Sequence, residues 1–431
     1  MSDTLKVLAD GIWMGDLRLR GDRLSFQYSD DWRSGDDAFP VSLSMPYVVA
    51  EHGHKVTEAY LWGLLPDNDS VLERWGRRFH VSPRNPFRLI EQVGEDCAGA
   101  VQFVRPDRMD LLLGQCDGPS VSWITQEELD RRIVAIRGDA SVTRMGEDSG
   151  QFSLAGAQPK LALYFDAKEN RWGIPQGRTP TTHILKPATG AFDGQTENEH
   201  FCLRLARELG FPTAISKVMH LGGTPVIVVE RYDRLKREGL FKRVHQEDFC
   251  QSAAIRPQMK YQNQGGPSPK AIGEILWTCS SSALEDVTRF AESLFFNWLI
   301  GGTDAHAKNY SVLLSSHGKA RLAPLYDLAS SLPYPQQIQP RKASMAMKIG
   351  SHYKISEISG TDWKKFAKEL RISPDGVLEH IRHMADRIGG SSEVVAAALT
   401  HEGVTHPVIG RIVDALKSHV KKCVLALDVS R

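Results

Sequence analysis

The chain has 431 residues, 41% of them hydrophobic and 24% charged, the balance of a soluble globular protein long enough for two or three domains with sizeable cores. Lys plus Arg (53) against Asp plus Glu (52) leaves a formal charge of +1, so no net field draws the whole molecule to nucleic acid or membrane and any basic contact must be local. Six scattered cysteines with no Cys-x-x-Cys pair, no basic-then-apolar leader, and no run near the ~20 apolar residues that cross a bilayer predict a reduced, cytoplasmic setting without a membrane partner.

From residue 5 to 45 apolar residues alternate with polar ones: Leu17 and Leu19, then Leu24, Phe26 and Tyr28 after Gly21-Asp22, then Val41, Leu43 and Met45 between Pro40 and Pro46. This period of two predicts a β meander. Residues 57–79 switch to helical spacing, broken at Pro66-Asp67-Asn68-Asp69, and residues 94–103 read as a tight turn entering another strand. Residues 1–105 thus form an α+β N-terminal module. Residues 106–150, polar around 114–120 with a charged helix near 125–137, read as a connector. Over 151–232 strands and one helix alternate: strands at 161–165, 181–186 and 226–230, and a helix at 197–209 stopped by Gly210. From 233 to 431 helical patterns dominate, with Trp363, Phe366, Ala367 and Leu370 on one stripe. The fold expected is α+β and protein-kinase-like: a strand-rich N-terminal lobe carrying the added module, then an all-helical C-terminal lobe.

The chemistry concentrates in Thr303-Asp304-Ala305-His306-Ala307-Lys308-Asn309, with Asp327 eighteen positions further on. An Asp, an Asn five residues later and a second Asp beyond is the order in which kinase-like enzymes present a catalytic base and two magnesium ligands. A carboxylate takes the acceptor's hydroxyl proton, and hard oxygen donors hold Mg²⁺ against the nucleotide phosphates. Asp304 is the candidate base, Asn309 and Asp327 the candidate ligands. The apolar run at 293–300, stopped by Gly301-Gly302, predicts a buried helix that anchors one end of this loop. The competing reading is that Asp304 caps a turn and Asn309 tolerates an unusual backbone conformation.

Upstream, Ser153-Leu154-Ala155-Gly156-Ala157-Gln158-Pro159-Lys160 offers small side chains that let backbone N–H groups approach phosphate oxygens, or forms an ordinary hairpin. Lys186 ends an apolar strand, facing the α- and β-phosphates in a kinase-like lobe with Glu199 as a partner, or snorkelling to solvent. Glu230-Arg231-Tyr232-Asp233 follows an apolar strand as a hinge between lobes should, with Glu230 and Tyr232 at an adenine edge and Asp233 at a ribose hydroxyl. The fifteen histidines show no metal-binding spacing, and His306 reads as a packing or hydrogen-bonding residue. Each signal is ambiguous alone, but they appear in the kinase order.

These motifs, with Phe26-Gln27-Tyr28-Ser29-Asp30-Asp31-Trp32, Ser42-Leu43-Ser44-Met45-Pro46, Leu64-Leu65-Pro66-Asp67-Asn68, Thr181-Thr182-His183-Ile184-Leu185-Lys186 and Gln246-Glu247-Asp248, resemble the HipA family of bacterial serine/threonine kinases, the toxin halves of toxin–antitoxin pairs. The resemblance covers most of the chain. It implies ATP and Mg²⁺ as cofactors and a nucleotide site formed by Ala155, Gly156, Ala157, Gln158, Lys160, Lys186, Glu230, Tyr232, Asp233, Gln246, His306, Lys308, Asn309 and Asp327, with Gln246 beside Asp233 at the ribose. It implies a helix-turn-helix antitoxin of the HipB kind that also binds operator DNA, and an aminoacyl-tRNA synthetase as protein substrate. It also implies autophosphorylation at Ser153, where a phosphate of about −2 charge would repel bound nucleotide. Two departures from ordinary protein kinases fit the same family: Thr303 stands where a His-Arg pair would precede the base, and Leu328-Ala329 follow Asp327 in place of Phe-Gly. The rival readings are a small-molecule phosphotransferase of the same fold and a catalytically silent co-repressor, touching phosphates through groups such as Arg341 and Lys342.

Overall fold

The computed structural model describes residues 3–113, 119–142, 155–156 and 158–428. The chain has a protein-kinase-like two-lobed α+β fold, and its residues cluster into two compact units, neither continuous in sequence: residues 1–187, 219–258 and 312–319, and residues 188–218, 259–311 and 320–431.

The first unit holds two antiparallel sheets. In one, β1 (Thr4–Ala9), β2 (Ile12–Arg20), β3 (Arg23–Tyr28), β4 (Glu51–His52) and β5 (Val101–Val104) take the order β4-β3-β2-β1-β5. The alternation that marks β1 to β3 buries Leu5, Val7, Leu17 and Phe26 on one face, where the helix His54–Leu64 packs with Tyr60 and Leu61. The interruption at Pro66 separates that helix from Asp69–Phe79, whose start is capped by the Asn68 side chain.

The second sheet comprises β6 (Val121–Trp123), β7 (Leu161–Asp166), β8 (Arg171–Pro175), β9 (His183–Pro187), β10 (Ser216–Leu221) and β11 (Thr224–Glu230), in the order β10-β11-β9-β7-β8-β6. Segment 121–138, expected as a connector, is part of this layer. β6 supplies the edge strand, and the helix Gln126–Gly138 buries Leu129, Ile133 and Ile136 against Leu161, Leu185 and Val228. Its charged residues, Arg132 apart, lie toward solvent, which is why the sequence reads as polar. The hairpin β12 (Arg234–Arg237) and β13 (Leu240–Arg243), followed by β14 (His245–Asp248), belongs to the same unit, so the strands run past the expected boundary at 232.

One predicted strand is absent. Residues 41–45 form a turn closed by the Ser42–Met45 bridge. Pro40 and Pro46 cannot donate to a ladder, and the backbone here is occupied by side chains: Leu43 N–H donates to Glu247 Oε1 at 2.7 Å, and the Val41 carbonyl meets His245 Nε2 at 3.0 Å.

The second unit is mainly helical: Gln195–Glu208, Pro269–Cys279, Ala283–Ile300, Gly360–Glu369, Pro374–His401 and Val408–Leu427, with a small pair of strands, Ser344–Ile349 and His352–Lys354. Its core is aromatic. Trp363 packs edge-on against Phe295, Trp298 and Phe366 at centroid distances of 4.9, 5.5 and 5.3 Å, so the predicted stripe at 363–370 is the buried face of its helix. Among the described residues no helix is long and apolar enough to cross a membrane.

Candidate active site

The loop that carries Asp304 is held at its base by the helix Ala283–Ile300. Gly301 ends that helix in the left-handed region (φ +65°), where a Cβ would come 2.8 Å from the Leu332 side chain; glycine alone satisfies both conditions. Gly302 N–H then donates to the Asn297 carbonyl at 2.7 Å. Beyond it, the Asp304 carbonyl accepts from His306 N–H at 2.8 Å and from Asn309 Nδ2 at 2.8 Å, and residues Ala307–Asn309 make one 3₁₀ turn. The amide nitrogen of Asn309 is thereby committed, which leaves Oδ1 as the atom suited to a hard cation. Asp304 itself is exposed while Asn309 is buried.

The segment carrying Asp327 returns to the same helix end. Ser330 Oγ donates to the Ile300 carbonyl at 2.6 Å and Ser331 Oγ to the Gly301 carbonyl at 2.7 Å, satisfying acceptors that a helix C-terminus leaves open. Asn198, from the helix Gln195–Glu208, brackets Ser330 through both its backbone groups. On the other side Leu325 exchanges backbone bonds with residues 212 and 214. Between these anchors Asp327 is exposed in the left-handed region (φ +57°), an uncommon state for a non-glycine residue that the flanking bonds impose.

Tyr326 ties the two loops together. Its hydroxyl donates to the Lys308 carbonyl at 2.7 Å, and because that uses its one proton, the 2.6 Å contact with Ser311 Oγ has the serine as donor. His306, buried at 4% exposure, feels both carboxylates: burial pushes its pKa down, Asp304 and Asp327 oppose that, and Lys260 adds to it. Its Nδ1 has no hydrogen-bond partner among the described residues, the kind of orphaned polar atom a bound ligand completes. By their chemistry, Asn309 Oδ1 and the Asp327 carboxylate are the oxygen donors of these two loops suited to Mg²⁺. Among the described residues no group of three His, Cys, Asp or Glu side chains is arranged for a metal.

Tyr261 is a residue the sequence did not single out. Its hydroxyl donates to Asp304 Oδ1 at 2.5 Å and its ring stands edge-on to His306 at 5.0 Å. It lies 43 positions from its partner, before Gly265-Gly266-Pro267, and nothing in the local pattern marks it as more than a loop residue.

In the first unit, Gly156 has φ +106°, and Lys160 Nζ donates to the Ala155 carbonyl at 2.6 Å. Gln158 Nε2 reaches the carbonyl of Pro187, next to Lys186, at 3.5 Å. Lys186 is buried on β9 opposite Ile227 of β11. Glu199 is buried on its helix. Glu230 ends β11, exposed, and Tyr232 hydrogen-bonds Gln246 through its hydroxyl. Ser153 and Ala157 lie outside the described residues.

Asp233, expected at a ribose hydroxyl, is engaged by groups of its own chain. Its carboxylate is 2% exposed and fully engaged: Arg231 donates to both oxygens at 3.0 and 2.8 Å, Gly99 N–H donates at 2.7 Å, and Arg234 stands at 3.0 Å. Burial works against its charge, but Arg231 and Arg234 outweigh it and hold the carboxyl below the usual range. The carboxylate is thus an anion held within the fold by Arg231, Arg234 and the Gly99 N–H. The sequence could not show this, because Gly99 comes from 134 residues away.

Comparison with known proteins agrees with this architecture. A HipA N-terminal domain model matches residues 5–104, and a HipA-like C-terminal domain model matches residues 152–391. Y4mE of Sinorhizobium fredii, which carries a kinase name, is 34% identical over 380 residues, 87% of each chain. The serine/threonine-protein kinase toxin HipA of Shewanella oneidensis is 28% identical over 412 residues, 89% of this chain and 88% of that one. A Shewanella oneidensis structure of HipA with HipB and operator DNA superposes with a TM-score of 0.80 at 23% identity, over 99% of this chain and 100% of that chain.

Proposed function

The chain belongs to the HipA family, and we propose that it is an ATP- and Mg²⁺-dependent serine/threonine protein kinase acting as the toxin of a toxin–antitoxin pair. The observation that carries this reading is the pairing of two loops, 304–309 and 325–331, on one helix end, with two exposed carboxylates acting on one buried imidazole.

In this reading Asp304 accepts the proton of a serine or threonine hydroxyl as its oxygen bonds to the γ-phosphorus of ATP, and the bond to the β-bridging oxygen breaks to release ADP. Tyr261 holds one carboxylate oxygen, so the other faces the acceptor. Asn309 Oδ1 and Asp327 hold Mg²⁺, which when bound neutralises charge on the phosphates. Lys186, Lys160 and the backbone at 155–156 would serve the phosphates from the first unit, His306 and Lys308 would serve them from the second, and Glu230, Tyr232 and Gln246 would receive the adenosine end. The substrate is a translation component such as an aminoacyl-tRNA synthetase, the inhibitor a HipB-like helix-turn-helix protein that brings the pair to operator DNA, and phosphorylation of Ser153 limits activity.

The test is phosphate transfer by the full chain, with ATP and Mg²⁺, to bacterial protein extract and separately to a metabolite panel, read by mass spectrometry. Asp304→Asn should lower transfer to protein by about a hundredfold or more, the usual share of a general base, with an unchanged melting temperature because the side chain is exposed. Transfer that survives this substitution, or that goes to metabolites only, refutes the assignment.

A further inference from the structure

Residues 94–103 were legible in the sequence only as a turn before a strand, and the proposed chemistry gives them no part. The structure puts that turn directly against residues 231–234, read above as the hinge. Asp96 accepts from Thr181 N–H and Oγ1 at 3.1 and 2.7 Å, and from Arg234 and Arg243 at 3.1 and 3.0 Å. Arg231 and Arg234 bond the Cys97 carbonyl, Arg234 also bonds the Gly99 carbonyl, and Gly99 N–H goes to Asp233. Every charged member of this cluster is less than 9% exposed. Burial disfavours the Asp96 anion, yet Arg243, Arg234 and Arg231 hold its carboxyl well below the usual range. The hinge residues Arg231 to Arg234 therefore take their positions from a turn of the N-terminal module.

The same module grips the next strand. Successive residues of a strand face opposite ways, and in β14 the two flanking Gln246 face the module. Ala100 N–H donates to His245 Nδ1 at 3.3 Å, so the ring proton is on Nε2 and goes to the Val41 carbonyl. Glu247 accepts from Leu43 N–H. Gln246 points the other way, to Tyr232. Gly99, at φ +81°, passes so close that a Cβ there would come 2.8 and 2.9 Å from the backbone N and O of Gln246.

We propose that the N-terminal module is a working part of the nucleotide site, its turn at 96–100 and loop at 41–43 positioning the hinge and Gln246 for the adenosine end of ATP. This rests on the reading of Tyr232 and Gln246 as nucleotide contacts. It assigns the module a duty in ATP affinity in addition to any partner it binds, with Gly99 as a positioning residue.

Two variants of the full chain separate this from general destabilisation. Gly99→Ala forces a methyl against Gln246, whereas Gly21→Ala imposes a comparable positive-φ strain (φ +58°) where nothing lies within 4 Å. By calorimetry with Mg-ATP, Gly99→Ala should weaken binding at least fivefold and raise the KM for ATP while kcat at saturation is nearly kept. Gly21→Ala should bind as the native chain does. Equal affinity in the two variants overturns the proposal. Should Gly99→Ala not fold, hydrogen exchange on the native chain decides: a non-hydrolysable ATP analogue should slow the amides of Gly99 and Ala100 along with those at 231–233. Protection at 231–233 without protection at 99–100 overturns the proposal and leaves the kinase reading standing. A native chain that binds no ATP overturns both.

Discussion

Tyr261 and Asp304 are the pair in which one atom matters most. A hydroxyl that donates to a carboxylate makes a charge-assisted bond, and at this exposed site its worth to stability is about 0–1 kcal/mol, so its main effect is on orientation. Here it leaves the Asp304 side chain one favoured orientation. Tyr261→Phe keeps the ring against His306 and removes that hydroxyl restraint. Its kcat should fall about tenfold, the equivalent of ~1.4 kcal/mol, with the KM for ATP unchanged; an unaltered kcat would mean that the base is oriented by something else. Asp327 illustrates a second residue-level device. A bulky side chain is not what forces its φ of +57°; the bonds at 325 and 330 do, so the strain is stored by its neighbours and released only if they let go.

Two short elements organise the rest, the C-terminal end of helix Ala283–Ile300 and the strand β14. On β14 the two residues facing the module titrate abnormally in opposite senses. Burial raises Glu247 to about 7 from an ordinary 4.5, with bonds from Ser42, Leu43 and Ser252 offsetting only part of it, and Asp248 adding to it. Burial lowers His245 to about 4 from 6.5, opposed by the Val41 carbonyl and Asp233. A carboxyl whose folded pKa is raised stabilises the protein below its unfolded pKa and loses that contribution as pH climbs through the folded one, here between about 4.5 and 7. The lowered histidine does the reverse: it costs stability as pH falls from 6.5 toward 4. Glu247→Gln keeps an acceptor oxygen for Leu43 and Ser252 and cannot ionise. It should match the native chain near pH 4.5 and be more stable at pH 8 by on the order of 2 kcal/mol, measured by thermal melting at both pH values. No gain at pH 8 would contradict a buried ionising Glu247.

Across the molecule, the ion cluster makes the N-terminal module inseparable from the sheet it supports. Three guanidiniums surround Asp96 and Asp233, with their remaining N–H groups on carbonyls of residues 97, 99, 178 and 181. Removing one partner of a buried pair costs about 3–5 kcal/mol, against a whole-domain stability of ~5–15 kcal/mol. A chain beginning at residue 105 loses Asp96, the Gly99 N–H and the apolar face of the first sheet together. It should show no cooperative unfolding transition by circular dichroism; a soluble fragment with a sharp melt would show that the sheet stands without the module.

What could be read from the residues alone was whatever repeats within a few positions: the alternation of β1 to β3, the apolar run ending at Gly301, the 363–370 stripe, and the Asp304, Asn309, Asp327 order. Spacing of that kind follows from local backbone geometry, which every residue carries with it. Contacts between distant segments obey no such rule, since packing picks partners by position in space. That is why Asp233 proved to serve Gly99 and two arginines, why residues 41–45 turn to meet β14 instead of pairing as a strand, and why Tyr261 reaches Asp304 from a separate loop. The motifs of the family are short, while the bonds that tie residues 96–100 to residues 231–234 emerged only when the chain was folded.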